Sequence, residues 1–162
     1  MTMMKTTSAS PARSEIGTEY LPSPKKWMLG HGLYIGNAVT RERLLADPFE
    51  VVVLCAREHQ PEPRTLPARL VLSVPLDDSG PPPTREELAL ADQAGKVVAG
   101  LLLQRKPVLV TCIMGMNRSC FVAALALKHL TGWDGDRVIH YVRERRPGAL
   151  RNTHFVDYLR RR

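Results

Sequence analysis

The segment Val108-Leu109-Val110-Thr111-Cys112-Ile113-Met114-Gly115-Met116-Asn117-Arg118-Ser119 constrains this chain more than any other. Its first three residues are apolar, as in a strand buried on both faces. Just beyond its end, Phe121 to Leu127 is apolar almost all round, which predicts a helix inside the core. A buried strand that passes through a short loop into a buried helix needs covering layers on both sides. The chain has 162 residues, of which 44% are hydrophobic, enough for one compact domain with a core.

The flanking pattern supplies those layers. Leu33-Tyr34-Ile35 reads as a short strand closed by Gly36, and Arg41 to Leu45 as a short helix. Val51 to Cys55 is a continuous, β-branched apolar run, the pattern of a doubly buried strand. Glu58 to Pro67 holds three prolines and reads as a loop; Leu70 to Val74 is another strand. Pro75 to Pro83 reads as an ordered loop, since three consecutive prolines follow Gly80. Thr84 and Glu87 form a capping box that opens a helix running to about Gln104, with Leu88, Ala91, Ala94 or Gly95, Val98 and Leu102 at helical spacing. Two further helices are expected near Asp134–Arg145 and Thr153–Arg161, parted by Pro147-Gly148. Alternating strands and helices predict an α/β fold: a central, mostly parallel sheet of four to five strands flanked by helices. Residues 1–25, polar and without periodicity, read as a flexible arm before a domain over 26–162.

Charge and cysteine usage narrow the function classes. The formal charge is +7, from 23 Lys and Arg against 16 Asp and Glu, which favours anionic partners. The surplus sits late, in Arg143, Arg145, Arg146, Arg151 and Arg160 to Arg162, and reads as solvated helix faces and a charged tail. Cys55, Cys112 and Cys120 are far apart with no CxxC pair, which argues against a disulfide framework or structural zinc and for a reducing cytosol. No apolar run reaches the ~18 residues of a membrane span, and Lys5 is not followed by the apolar stretch of a secretory signal. The histidines are scattered without metal-ligand spacing, so neither a metal nor a cofactor is expected.

The loop at 112–118 carries the chemistry. A strand that ends in a loop opening a helix leaves backbone N–H groups unpaired, and the helix dipole adds positive potential there. Such a loop binds phosphate, and Gly115 lets it curl into a nest. Cys112, facing that nest, is favoured as a thiolate and can attack phosphorus. Arg118 closes the loop and offers a planar fork to two phosphoryl oxygens. Ile113, Met114, Gly115, Met116, Asn117 and Arg118 would line the bound phosphate.

Cys112-x2-Gly115-x2-Arg118-Ser119 in this setting resembles the signature loop of the protein tyrosine and dual-specificity phosphatase superfamily. The resemblance runs from about Trp27 to Leu159. Leu33 to Gly36 matches the early Leu-Tyr-(Leu/Ile)-Gly of dual-specificity phosphatases, and Arg146-Pro147 with Asn152 and Phe155 their C-terminal pattern. The compact form is similar to small bacterial and phage versions. The resemblance implies a metal-free, two-step reaction through a cysteinyl-phosphate, acting on phosphotyrosine and phosphoserine or phosphothreonine in proteins. It places Asp78 of Pro75-Leu76-Asp77-Asp78 as general acid, with Asp77 the runner-up, and gives Ser119 the role of assisting thiolate departure. It departs at Thr111, where the family usually has histidine. Cys55 in Val53-Leu54-Cys55-Ala56-Arg57-Glu58 resembles the strand end of tumour-suppressor-type lipid phosphatases, where a cysteine forms a reversible disulfide with the nucleophile; a core cysteine is the equal alternative. Cys120 reads as packing.

Two rival functions share the fold: an RNA 5′-triphosphatase, which often shows Gly-x-Asn-Arg in the loop, and a catalytically silent phospho-binding module. Only 6% of residues are aromatic, with no aromatic and basic patch for strand stacking. Silent modules typically lose the cysteine or the arginine, and both are present. Low-molecular-weight phosphatases and arsenate reductases place the signature near the N-terminus, so the order here excludes them.

Overall fold

A computed structural model describes residues 25–162. The arm expected over 1–25 lies, but for Lys25, outside the described residues. Five strands form a sheet in the order β1-β2-β5-β3-β4: β1 (Lys26–Gly30), β2 (Leu33–Gly36), β3 (Val51–Ala56), β4 (Leu70–Leu76) and β5 (Val108–Thr111). β2, β5, β3 and β4 are parallel neighbours, and β1 adds an antiparallel edge. β5 is therefore flanked by β2 and β3, and all four of its residues are buried. Its pairing with both neighbours brings Thr111 level with Gly36 and Leu54, so the segment after β5 emerges where three strands end together. That is the edge of a parallel sheet at which α/β proteins place their sites.

The helices are α1 (Arg41–Ala46), α2 (Arg85–Leu103), α3 (Arg118–Thr131), α4 (Gly135–Arg145) and α5 (Thr153–Arg161). The expected capping box at Thr84 and Glu87 is formed in both directions. α3 is buried continuously from Arg118 to Leu127, as its unbroken apolar sequence requires. Gly95 makes close packing of α2 on α3 feasible: a Cβ there would lie 2.9 Å from Leu125 Cβ and 3.1 Å from the Ala126 backbone N. Phe121 of α3 stacks on Phe155 of α5 at 4.5 Å between ring centroids, locking the last helix over the core.

Three local expectations change. β4 continues through Pro75 to Leu76, because Pro75 is exposed and Leu76 fills the core. β1 was not foreseen as a strand; its pairing with β2 supplies the regularity its mixed sequence lacks. A short 3₁₀ turn, Pro63–Thr65, interrupts the loop after β3.

Candidate active site

The loop from Cys112 to Asn117 is held from outside by its carbonyls. Ile113 O accepts from Ala38 N at 3.1 Å and Met116 O from Leu150 N at 2.9 Å. Gly115 O accepts from Arg146 Nε at 3.0 Å, and Met114 O from Arg146 Nη2 at 3.4 Å. Asn117 O accepts from Phe121 N at 2.8 Å, inside α3. With successive carbonyls turned outward to the protein, the amides between them turn inward. Among the described residues, none of the N–H groups of Ile113 to Arg118 has a protein acceptor. A run of unpaired amides of this kind is what an anion nest requires. Gly115 makes the curl at φ +62°, where a Cβ would also meet Gly36 C and O at 2.9 Å and the Trp27 ring at 3.0 Å.

The reactive groups converge on that nest. Cys112 is 2% exposed, and its Sγ lies 3.2 Å from Oγ of Ser119, the second residue of α3. The hydroxyl is thus placed to donate to the sulfur. Arg118 is 6% exposed. Its Nη1 donates to Leu76 O at 3.2 Å and to Glu58 at 2.8 Å, while its Nε is buried without a partner among the described residues. A buried unpaired guanidinium nitrogen is costly unless a ligand will meet it.

The two candidate acids have different partners. Asp77 turns into its own loop: the Ser79 hydroxyl bonds Oδ2 at 2.9 Å and the Ser79 amide bonds Oδ1 at 3.0 Å. That hydroxyl bond, helped by the amide, holds the Asp77 carboxyl below its ordinary value, which disfavours it as a proton donor. Asp78 instead faces the signature loop. Asn117 Nδ2 donates to its Oδ2 at 3.0 Å and Asn152 Nδ2 to its Oδ1 at 2.6 Å. A cleft of about 300 Å³ opens beside it, lined by Gly80, Asn117, Arg151, Asn152, Thr153 and His154 as well as Asp78.

Of the loop side chains expected around phosphate, Asn117 is committed elsewhere. Its Oδ1 accepts from the amides of Arg151 at 2.7 Å and Asn152 at 3.2 Å, so it ties the Asp78 loop to the turn before α5. Met114 is 50% exposed, at the outer surface of the loop. Ile113 packs on the core. Thr111 is fully buried and donates to Val53 O at 3.2 Å, so the hydroxyl here braces β5 against β3.

Of the late arginines, Arg143, Arg145, Arg151 and Arg160 to Arg162 are exposed, as expected, whereas Arg146 is half-buried. Arg146 stacks over Trp27 at 3.8 Å while it clamps the loop carbonyls, and Arg143 bonds the carbonyls of Ala149 and Leu150 at 3.2 and 2.8 Å. Both are structural cations, because the loops they brace present carbonyls that no strand or helix satisfies. Sequence spacing carried no sign of this, beyond the Arg146-Pro147 resemblance.

The family model of the dual specificity phosphatase catalytic domain matches residues 33–161. The chain belongs to the dual-specificity phosphatase family. The tyrosine-protein phosphatase yvh1 of Schizosaccharomyces pombe is 25% identical over 134 residues, which cover 82% of this chain and 39% of that protein. This dual-specificity phosphatase chain thus spans well under half the length of that relative. The crystal structure of a mouse putative dual specificity phosphatase complexed with zinc tungstate shares 27% identity at a TM-score of 0.69, covering 90% of this chain and 91% of that one. Human DUSP28 matches in fold at a TM-score of 0.70 and 23% identity, covering 87% and 94%. The α/β architecture expected from the sequence is therefore that of the family.

Cys55 is fully buried at the end of β3. Burial pushes its thiol well above the ordinary value, and negative charge on Cys112 adds to this, against a smaller opposing effect of Arg118. Cys120 is also raised by burial, and its Sγ contacts Gly115 O at 3.7 Å, so it packs beneath the loop. Among the described residues no helix is long and apolar enough to cross a membrane, and no group of three His, Cys, Asp or Glu is placed to hold a metal ion.

Proposed function

We propose that this chain hydrolyses phosphomonoesters of proteins, phosphotyrosine and phosphoserine or phosphothreonine alike, through a cysteinyl-phosphate. One observation carries the reading: Cys112, the unpaired amides of its loop, the free edge of Arg118 and the Ser119 hydroxyl share one nest. The amides and Arg118 bind the phosphoryl oxygens, and they hold transition-state charge without reorganising. The Cys112 thiolate attacks phosphorus as the bond to the leaving oxygen breaks, and Asp78 gives that oxygen its proton. Water then attacks phosphorus. Asp78, now a carboxylate, takes the water's proton, while Ser119 donates a hydrogen bond to the departing sulfur.

The test is hydrolysis of p-nitrophenyl phosphate and of phosphotyrosine and phosphothreonine peptides, with EDTA present, by wild type, Cys112→Ser and Asp78→Asn. Activity lost in Cys112→Ser and strongly reduced in Asp78→Asn is the expected result. Folded wild type that turns over none of these, but releases phosphate from 5′-triphosphorylated RNA, would replace this reading with the RNA phosphatase one. Binding without turnover of any substrate would replace it with the silent module.

A further inference from the structure

Two clefts adjoin along α2. One, of about 570 Å³, is lined by Arg85, Leu88, Lys96, Val97 and Tyr158 among others. The other, of about 490 Å³, is lined by Lys96, Lys128, Trp133 and Arg161 among others. Asp92, Lys96 and Arg162 border both, so the two form one groove between α2, the second half of α3 and the end of α5.

The groove carries one sign of charge. Its lining holds Arg85, Lys96, Lys128, Arg161 and Arg162 against a single carboxylate, Asp92. That carboxylate is already engaged: it accepts from His129 and Arg162, each at 2.9 Å, with Lys96 at 3.8 Å. Arg85 and Arg161 have no hydrogen-bond or ion-pair partner among the described residues. Helix ends account for part of the cluster. Lys128 and Arg161 stand in the last turns of α3 and α5, where a cation meets the negative end of the dipole. Arg85, however, is the first residue of α2, at the positive end, where the same effect disfavours it, and Lys96 lies mid-helix. What these cations share is the groove, and a concave patch of one sign draws in the opposite charge.

Between the cations the lining is apolar. Val97 is 41% exposed, Leu88 and Tyr158 are half-buried, and the Arg162 guanidinium lies 5.6 Å from the Tyr158 ring centroid. Cations that frame apolar side chains match a chain segment bearing carboxylates and apolar residues together. From Arg85 to Val97, α2 spans about 18 Å at 1.5 Å per residue, the length of about five or six extended residues. Stacked bases fit less well, since the Trp133 ring is engaged by Tyr141 at 4.9 Å and by Arg137 at 4.4 Å. The groove also starts near the chemistry. Arg85 follows the loop that carries Asp78, and Glu87 pairs with Arg57, whose neighbour Glu58 meets Arg118.

We propose that this groove docks an acidic, partly apolar segment of the phosphoprotein substrate, with Arg85, Lys96 and Arg161 as its carboxylate contacts. The proposal rests on the phosphatase reading above and adds a substrate class to it: phosphoproteins with an acidic stretch beyond the phosphorylated residue. The groove touches no reacting atom, so it acts on KM and leaves the chemical step unchanged.

The experiment compares wild type with the triple variant Arg85→Gln, Lys96→Gln, Arg161→Gln, all three at exposed positions, as full chains whose folding is checked by melting curves. The first measurement is the anisotropy of a fluorescein-labelled, unphosphorylated peptide of mixed Glu and Leu, with tungstate present to fill the nest. The second is kcat and KM for phosphotyrosine peptides with a Glu-rich or a Gln-rich extension, on either side and at several spacings, and for p-nitrophenyl phosphate. The acidic peptide is expected to bind wild type with an affinity that falls as salt rises, and the variant about tenfold or more weaker. The Glu-rich extension should lower KM for wild type by a similar factor and do nothing for the variant, while p-nitrophenyl phosphate kinetics stay the same in both. An acidic peptide that binds both proteins alike, or a Gln-rich peptide that binds wild type as well, overturns the proposal. So does binding of single-stranded RNA, lost in the variant, where the acidic peptide does not bind; that result assigns the groove to nucleic acid. If the triple variant does not fold, Lys96→Gln alone decides: a loss of about threefold in peptide affinity supports docking, and wild-type affinity refutes it. Wild type that turns over no phosphoester would sink the phosphatase reading itself, whereas active wild type blind to the acidic extension sinks only this inference.

Discussion

Asn152 Nδ2 donates to Asp78 Oδ1 over 2.6 Å, joining residues 74 positions apart in the chain. The same asparagine caps α5, its Oδ1 accepting from His154 N at 3.0 Å and Phe155 N at 3.4 Å. The Asp78 loop is thus docked on the start of the last helix, and α5 itself is stacked on α3 through Phe155 and Phe121. Asn152→Ala removes both the cap and the anchor. A misplaced acid matters most when the leaving group is poor. The expected result is a loss of kcat of about tenfold or more on phosphothreonine peptides, and a smaller loss on p-nitrophenyl phosphate. Equal losses on both substrates would show that Asn152 acts only on stability.

Ser119 Oγ and Cys112 Sγ, 3.2 Å apart, predict a separation of the two chemical steps. Ser119→Ala keeps the nest and Arg118, so thiolate attack continues, while departure of sulfur loses its hydrogen bond. Rapid-mixing kinetics should show a burst of nitrophenolate followed by a steady state slower by about tenfold or more. A monophasic time course would mean that the serine serves the first step instead.

Gly115→Ala places a methyl group 2.9 Å from the Gly36 backbone, at a φ of +62°. Neither contact can yield, since one is main chain and the other is the Trp27 ring held by Arg146. The variant should lose about 1–3 kcal/mol of stability and most of its affinity for tungstate, read by denaturation and calorimetry.

Asp92 of α2 meets α3 and the residue that follows α5. It accepts from His129 Nε2 at 2.9 Å and Arg162 Nη2 at 2.9 Å, with Lys96 at 3.8 Å. Burial alone would raise its carboxyl, but the hydrogen bonds and charges of His129 and Arg162 outweigh it and leave the value lowered. A lowered folded value contributes stability that is complete above the unfolded value of about 4 and disappears as pH falls through the folded one. Asp92→Asn should therefore be less stable than wild type at pH 7 by about 1 kcal/mol. The gap should close in acid, below the folded value, as seen in melting curves from pH 7 to pH 2. A gap independent of pH would assign the effect to packing.

Cys55 should matter only under oxidation. Peroxide converts the Cys112 thiolate to a sulfenic acid, and condensation with the Cys55 thiol would form a disulfide and release water. Since burial keeps Cys55 protonated, this step is expected to be slow. Wild type inactivated by peroxide should regain activity with dithiothreitol, and Cys55→Ser should regain less. Equal recovery would leave Cys55 as a core side chain.

Some of this was legible in the chain itself. The parallel sheet followed from apolar runs such as Val51 to Cys55, because a strand covered on both faces has no polar residues to place. The expectation of a phosphate loop followed from the adjacency of a buried strand, Gly115 and a buried helix, since such a junction leaves backbone amides free to meet an anion. These are local properties, set within about a dozen residues. The hydrogen bonds of Asp78 with Asn117 and Asn152, the clamp from Arg146 and the hold of Glu58 on Arg118 were not. Each joins segments 30 or more residues apart, and a charged or amide side chain has the same sequence signature whether it meets water or a partner. Only packing decides which, by bringing the partner within hydrogen-bond reach and excluding the solvent that would otherwise serve as well.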